Sequence, residues 1–163
     1  PIIPYYVYRK SSLKKINSEE KIISNFILRK KFAEGVRNNN IDARHTFVKN
    51  IINNDYTFCM RGGGNYSLRL YETLCLGRIP LFINTDCVLP FEEEINWKEL
   101  CLWVEEKDLD RIGEIIIDFH SSITSNQFIE RQLYAREIWL NFLSKEGFIE
   151  HLHSSIRKSI KSI

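Results

Sequence analysis

The chain has 163 residues, 44% of them hydrophobic and 27% charged, which suits one soluble globular domain and excludes disordered and fibrous classes. Its 23 basic and 21 acidic residues leave a net charge of only +2, too thin a basic footprint for a nucleic-acid partner. No apolar run approaches bilayer-spanning length and no secretory leader is visible, so a cytoplasmic or membrane-peripheral location is expected.

Taken in chain order, Ile2–Tyr8 reads as an edge or approach strand, because Pro4 cannot donate to a ladder. The pattern IISNFILRKKF predicts a helix from Glu19 to Val36, with Asn17 or Ser18 as its cap and Gly35 as its stop. Asn38–Asn40 mark a polar loop. A second helix begins at Asp42 or Thr46 and carries Phe47, Val48, Ile51 and Ile52 at helical spacing. The apolar run Tyr56–Met60 predicts a strand.

That run ends at Arg61, Gly62, Gly63 and Gly64, and a helical pattern follows from about Ser67 to Leu76. Gly77 is placed as a helix C-cap, ahead of a strand over Ile79–Asn84. The loop Thr85–Pro90 leads to a partly helical, acidic stretch over Phe91–Glu99. Leu100–Val104 is the third predicted strand. Asp108–His120 is a helix with Leu109, Ile112, Ile115 and Ile116 on one face, and Asn126–Leu143 is read as the longest helix. The tail from about Lys145 to Ile163 is expected to be helical or frayed. Strands alternating with helices imply a Rossmann-like, doubly wound, mostly parallel α/β sheet in a single domain over residues 1–163.

The chemistry concentrates in Arg61–Glu72. A loop of small residues feeding a helix N-terminus presents unpaired N–H groups and the positive end of the helix dipole, a seat for phosphate. Glycines there permit positive φ and close backbone approach, and Asn65 or Ser67 suits the helix cap. The bland alternative is a tight turn that merely needs glycine. No GKS or GKT follows, and Gly62, Gly64 and Leu68 break GxGxxG, so the common triphosphate and dinucleotide readings lose weight. Arg69 in the first turn opposes the helix dipole, and an incoming diphosphate would reverse that sign. Glu72, three residues on, could accept hydrogen bonds from sugar hydroxyls; otherwise the two form an ordinary surface ion pair.

Four cysteines, Cys59, Cys75, Cys87 and Cys101, lie far apart without a CxxC, so they are read as packing residues in a reducing compartment. The four histidines lack metal-ligand spacing. Glu92–Glu94 read as a solvated helix start, and Trp97, Trp103 and Trp139 as core.

One ordered series of residues resembles a known family. It runs from Phe58-Cys59 through Arg61-Gly62 and Ser67-x-Arg69-x-x-Glu72 to Leu74, Gly77 and Ile79-Pro80. It continues through Val88-Leu89-Pro90-Phe91 to Asn96-Trp97. This resembles the C-terminal half of exostosin-like glycosyltransferases; the first fifty-five or so residues match nothing that can be anchored. The resemblance implies one half of a GT-B architecture that binds a nucleotide-sugar, usually a uridine diphosphate sugar, for transfer to a glycan acceptor. It implies a donor-binding set of Arg61, Gly62, Gly63, Gly64, Asn65, Ser67, Arg69 and Glu72. In that set Arg61 and Arg69 face the diphosphate and Glu72 faces the ribose. No metal and no further cofactor are expected: the one DxD, Asp108-Leu109-Asp110, is read as a helix cap. The catalytic base is expected on a second domain, in the parent chain or in trans. The alternatives are a non-catalytic nucleotide-binding module and a purely structural α/β domain.

Overall fold

The computed structural model describes residues 5–28 and 41–161. Three parallel strands, β1 (Tyr56–Cys59), β2 (Ile79–Asn84) and β3 (Leu102–Glu105), form one sheet in that order. Tyr56 is level with Ile79 and Cys59 with Phe82; Leu81 is level with Leu102 and Asn84 with Glu105. The central strand β2 is buried from Ile79 through Ile83, as a parallel strand covered on both faces requires.

Alternation along the strands divides the core in two. On one face Cys59, Phe82 and Cys101 pack with Leu70 and Leu74 of helix α3 (Leu68–Cys75) and with Ala135 and Ile138 of helix α6 (Ser125–Ile138). On the other, Met60, Leu81, Ile83, Leu102 and Val104 pack against Ile16 of helix α1 (Tyr5–Ser18). Ile112 and Ile116 of helix α5 (Ile112–Ser122) complete that side. Helices therefore cover both faces, compatible with a Rossmann-like fold. Helix α2 (Ile41–Ile52) precedes β1 and buries Ile51, α4 (Trp97–Leu100) precedes β3, and α7 (Lys145–Lys161) closes the chain.

The middle of the chain follows its pattern. Gly77 ends α3 at φ +60°: its N–H bonds the Leu74 carbonyl and the Arg78 N–H bonds the Thr73 carbonyl, a Schellman closure. Helix α6 starts on a capping box, with Thr124 and Gln127 each bonding the other's backbone N–H.

Elsewhere the structure differs from the sequence reading. Tyr5–Tyr8 is the first turn of α1, not a strand; Ile2–Pro4 lie outside the described residues. Residues 19–28 are not helical. After a turn at Glu20-Lys21 the chain is non-helical, and Ile22, Ser24 and Phe26 are half-buried while Lys21, Ile23, Asn25 and Ile27 are exposed. That is a period of two, and Ile22 with Phe26 satisfies both a strand-like and a helical spacing. The expected helix end at Val36, its Gly35 stop and the Asn38–Asn40 loop lie outside the described residues.

The third strand begins two residues later than expected because Leu100 is used to close α4. A 3-10 turn over Glu106–Arg111 leads into α5, and neither it nor α5 has a side-chain cap. Asp108 and Asp110 therefore do not cap; Asp110 pairs with Lys15. The Asn126–Leu143 stretch is α6 followed by a π turn over Trp139–Leu143, and the 17-residue α7 is the longer helix. No described helix is long and apolar enough to cross a membrane.

Candidate functional site

Arg61–Glu72 follows the carboxyl end of β1 and meets the loop after β2, at the edge where open α/β sheets bind ligands. Arg61 follows β1. Its Nε is buried and finds no hydrogen-bond partner among the described residues. The guanidinium lies near Cys87 of the loop after β2. Burial pushes the Cys87 thiol up, and the Arg61 charge is among the influences that oppose the shift. An arginine donor sequestered without an acceptor is costly.

The glycine loop behaves differently from its sequence reading. None of Gly62, Gly63 or Gly64 has positive φ; among the described glycines Gly77 alone does. A Cβ at Gly62 or Gly63 would meet nothing within 4 Å, whereas one at Gly64 would strike the Tyr66 ring at 2.5 Å. Among the described residues the first two glycines thus leave open space beside the backbone, and a side chain at the third would displace the exposed Tyr66 ring. Gly62 closes the loop by donating its N–H to the Tyr66 carbonyl at 3.3 Å.

Ser67 occupies the N-cap position of α3 in extended conformation and is buried, but its hydroxyl caps no helix amide. The amides at the start of α3 accordingly receive no acceptor from the cap side chain. Asn65 is no cap either. Its Nδ2 donates to the carbonyls of Thr85, at 3.0 Å, and Asp86, at 3.1 Å. Its Oδ1 accepts from the Thr85 hydroxyl at 2.8 Å.

Arg69 and Glu72 are brought together as an ion pair, with Arg69 Nε 3.5 Å from Glu72 Oε2. The Arg69 guanidinium also lies 4.0 Å over the ring of Phe47 on α2, a cation–π contact. Burial raises the Glu72 carboxyl above its ordinary range, and Arg69 and Arg44 oppose the shift. The arrangement puts Arg69 and Glu72 at the flank of the glycine loop, with Arg44 and Phe47 of α2 as neighbours that the sequence did not single out.

The sequence also missed the network behind the loop. Glu105, at the end of β3, accepts from Asn84 Nδ2 at 2.7 Å and from Trp103 Nε1 at 2.8 Å. These bonds, Trp103 first, hold its carboxyl below the usual range. Asn84 Oδ1 in turn accepts the Asp86 N–H at 3.1 Å, and Asp86 sits at φ +53°. The unusual φ of a non-glycine residue is the structural mark of this corner.

A cavity of about 670 Å³ lies on the far side of Arg69 from the glycine loop's own residues, none of which lines it. It opens among Arg9, Phe26, Asn50, Phe58 and His120, and of the sequence-predicted site residues Arg69 alone lines it.

The remaining candidates take structural roles. Cys59 and Cys101 are buried in the core, with the Cys59 thiol pushed up to about 12 by burial; Cys75 and Cys87 are half-buried. His120 Nδ1 bonds the Tyr56 hydroxyl at 2.9 Å, and His151 stacks on Phe142. Trp97 is buried, with Nε1 donating to the Pro90 carbonyl, while Trp103 and Trp139 are half-buried. Glu92 is not merely solvated: its Oε1 accepts the Leu89 N–H at 2.8 Å. No cluster of three His, Cys, Asp or Glu fit to hold a metal occurs among the described residues.

A parallel α/β domain with an arginine, an open glycine loop and an uncapped helix start at its carboxyl edge is a class suited to anionic ligands. Comparison with known proteins narrows that class, since residues 9–118 match the exostosin GT47 domain. The chain belongs to the exostosin GT47 family.

Among its relatives is a probable glucuronoxylan glucuronosyltransferase, IRX7 of Arabidopsis thaliana, 29% identical over 115 residues, 65% of this chain and 25% of that protein. A second probable glucuronoxylan glucuronosyltransferase of the same plant is 32% identical over 111 residues, 64% of this chain and 23% of that protein. Exostosin-1 of Drosophila melanogaster is 39% identical over 98 residues, 59% of this chain and 12% of that protein. The matched stretch thus spans a quarter or less of these relatives. No solved structure matches the chain.

Proposed function

We propose that this chain is the donor-binding part of a glycosyltransferase, seating a nucleoside diphosphate sugar at the carboxyl edge of its sheet. The observation that carries the reading is Arg61, whose buried, unpartnered Nε stands beside two glycines that leave open backbone and a helix start without a side-chain cap. Each of these features is unfavourable or unexplained in the chain alone, and a diphosphate supplies what all of them lack. The relatives named glucuronosyltransferases point to a uridine diphosphate sugar carrying glucuronate as the donor.

In the reaction the bond from the anomeric carbon to the diphosphate breaks and its electron pair leaves with the diphosphate oxygen. Arg61, the amides of Gly62–Gly64 and the start of α3 meet that growing negative charge. Arg69, held between Phe47 and Glu72, adds positive charge from the flank; Glu72 accepts hydrogen bonds from the ribose. The reading assigns charge neutralisation to these groups and needs no metal ion. The acceptor hydroxyl of a glycan attacks the anomeric carbon and gives its proton to a base on a second domain, which completes a GT-B pair.

Ligand-dependent stabilisation tests this. Uridine diphosphate at about a hundred times its dissociation constant should raise apparent stability by about 2.7 kcal/mol, seen as a higher Tm. A Tm unmoved by millimolar uridine diphosphate would remove the donor reading.

A further inference from the structure

The amide of Asn65 is spent within the protein. Both Nδ2 hydrogens are committed, to the carbonyls of Thr85 and Asp86, and Oδ1 accepts from the Thr85 hydroxyl. Thr85 is buried and Asn65 is exposed, so the clasp ties a surface loop to a buried anchor. The partners are anchored in turn. Asp86 is kept at φ +53° with its N–H on Asn84 Oδ1, and Asn84 Nδ2 is tied to the Glu105 carboxylate. One line of hydrogen bonds therefore runs from the end of β3, across the end of β2, to the glycine loop after β1.

From this geometry we infer that Asn65 is a positioning residue: its clasp on Thr85 and Asp86 fixes the Arg61–Tyr66 loop in its ligand-receiving position. The inference rests on the donor-site reading for its ligand, but the clasp itself is a property of the free protein. Among the described residues the loop has little else to hold it. Its backbone makes one internal bond, Gly62 N–H to Tyr66 carbonyl, and Gly62 and Gly63 pack against nothing on their open side. A loop with so few contacts is drawn from the low-stability end of a structure unless a side chain pins it. Asn65 supplies three bonds at one position. The left-handed Asp86 is the matching half: aspartate adopts that conformation more readily than most residues, and the bond from its N–H to Asn84 Oδ1 holds it there.

Two readouts on Asn65→Ala, Thr85→Val and the double variant test the inference. The first is amide hydrogen exchange over residues 61–66 without ligand. The second is the dissociation constant for uridine diphosphate. Asn65→Ala removes all three bonds and should speed exchange in the loop by about ten-fold or more; Thr85→Val removes only the hydroxyl bond and should speed it by several-fold, while exchange in β2 and α5 stays unchanged. Each should weaken nucleotide binding several-fold, and the double variant should be no worse than Asn65→Ala because both changes open the same clasp.

Unchanged loop exchange in both single variants overturns the inference. So does a loss of affinity in Asn65→Ala with loop exchange as slow as in the parent protein, because Asn65 would then act on the ligand directly. A loop that loosens in both variants while the parent protein fails to bind uridine diphosphate supports the clasp and overturns the donor-site reading instead.

Discussion

Replacing Arg61 by methionine separates the needs of the fold from those of the ligand, because the two effects have opposite signs. Methionine keeps the apolar stem and removes the guanidinium. In the free protein the buried Nε has no acceptor among the described residues, a situation that costs about 1–3 kcal/mol for a fully sequestered donor. Arg61 is only half-buried as a whole, so part of that cost is relieved by water at the rest of the group. Ligand-free stability should therefore be unchanged or raised by up to about 1 kcal/mol. A charge-assisted bond to a phosphate contributes about 1.5–3 kcal/mol, so the dissociation constant for uridine diphosphate should rise roughly ten- to hundred-fold. Urea unfolding followed by tryptophan fluorescence reads the first effect, and titration calorimetry reads the second. A variant that loses stability while binding nucleotide as the parent does would refute the reasoning, because Arg61 would then be a packing residue.

Gly62→Ala should leave stability within about 0.5 kcal/mol, since a Cβ there meets nothing, yet lower affinity for uridine diphosphate by filling the approach. Equal affinity would show that nothing comes close to Gly62. Gly77→Ala should destabilise by roughly 1–2 kcal/mol or more. Its φ of +60° disfavours a side chain, and its Cβ would crowd Arg136 Cβ at 3.3 Å. An unchanged urea midpoint would contradict that. Glu105 is held below its ordinary carboxylate value of 4.5, first by Trp103 and then by Asn84. A depressed folded value gives stability that is fully present above the unfolded value and is lost as pH falls through the folded one. The parent protein should thus lose stability below about pH 4.5, and Glu105→Gln should flatten that part of the curve; parallel curves would show that the two bonds do not depend on ionisation.

The stretch from β1 through β2 was legible because each local signal agrees with the fold. Tyr56–Cys59 and Ile79–Asn84 are apolar runs of strand length, Leu70 and Leu74 share one face of α3, and Gly77 takes the conformation its C-cap position demands. The N-terminal region was illegible for a physical reason. Helix α1 buries the polar Ser12 in the same stripe as Ile16, and Ser12 satisfies itself on the Tyr8 carbonyl, so no apolar period marks the helix. Ile22 and Phe26, four apart, mimic a helical face although the chain there alternates in exposure.

At the site, the residue types at Arg61 and the glycines could be picked out, but not their partners. The Asn65–Thr85 clasp joins residues twenty apart, and the Arg69–Phe47 contact joins different helices. Neither leaves a local pattern in the sequence. Ser67 and Asn65 show the complementary failure: both are good capping residues by type, and tertiary partners or backbone geometry decided otherwise.

The most direct test of the donor-site account is a map of amide hydrogen exchange with and without uridine diphosphate. Protection should concentrate in residues 61–70, at the glycine loop and the first turn of α3, and leave Arg9, Asn50 and His120, which share a cavity with Arg69 alone of these, unchanged. Protection confined to that cavity, or none in the loop under saturating nucleotide, would contradict it.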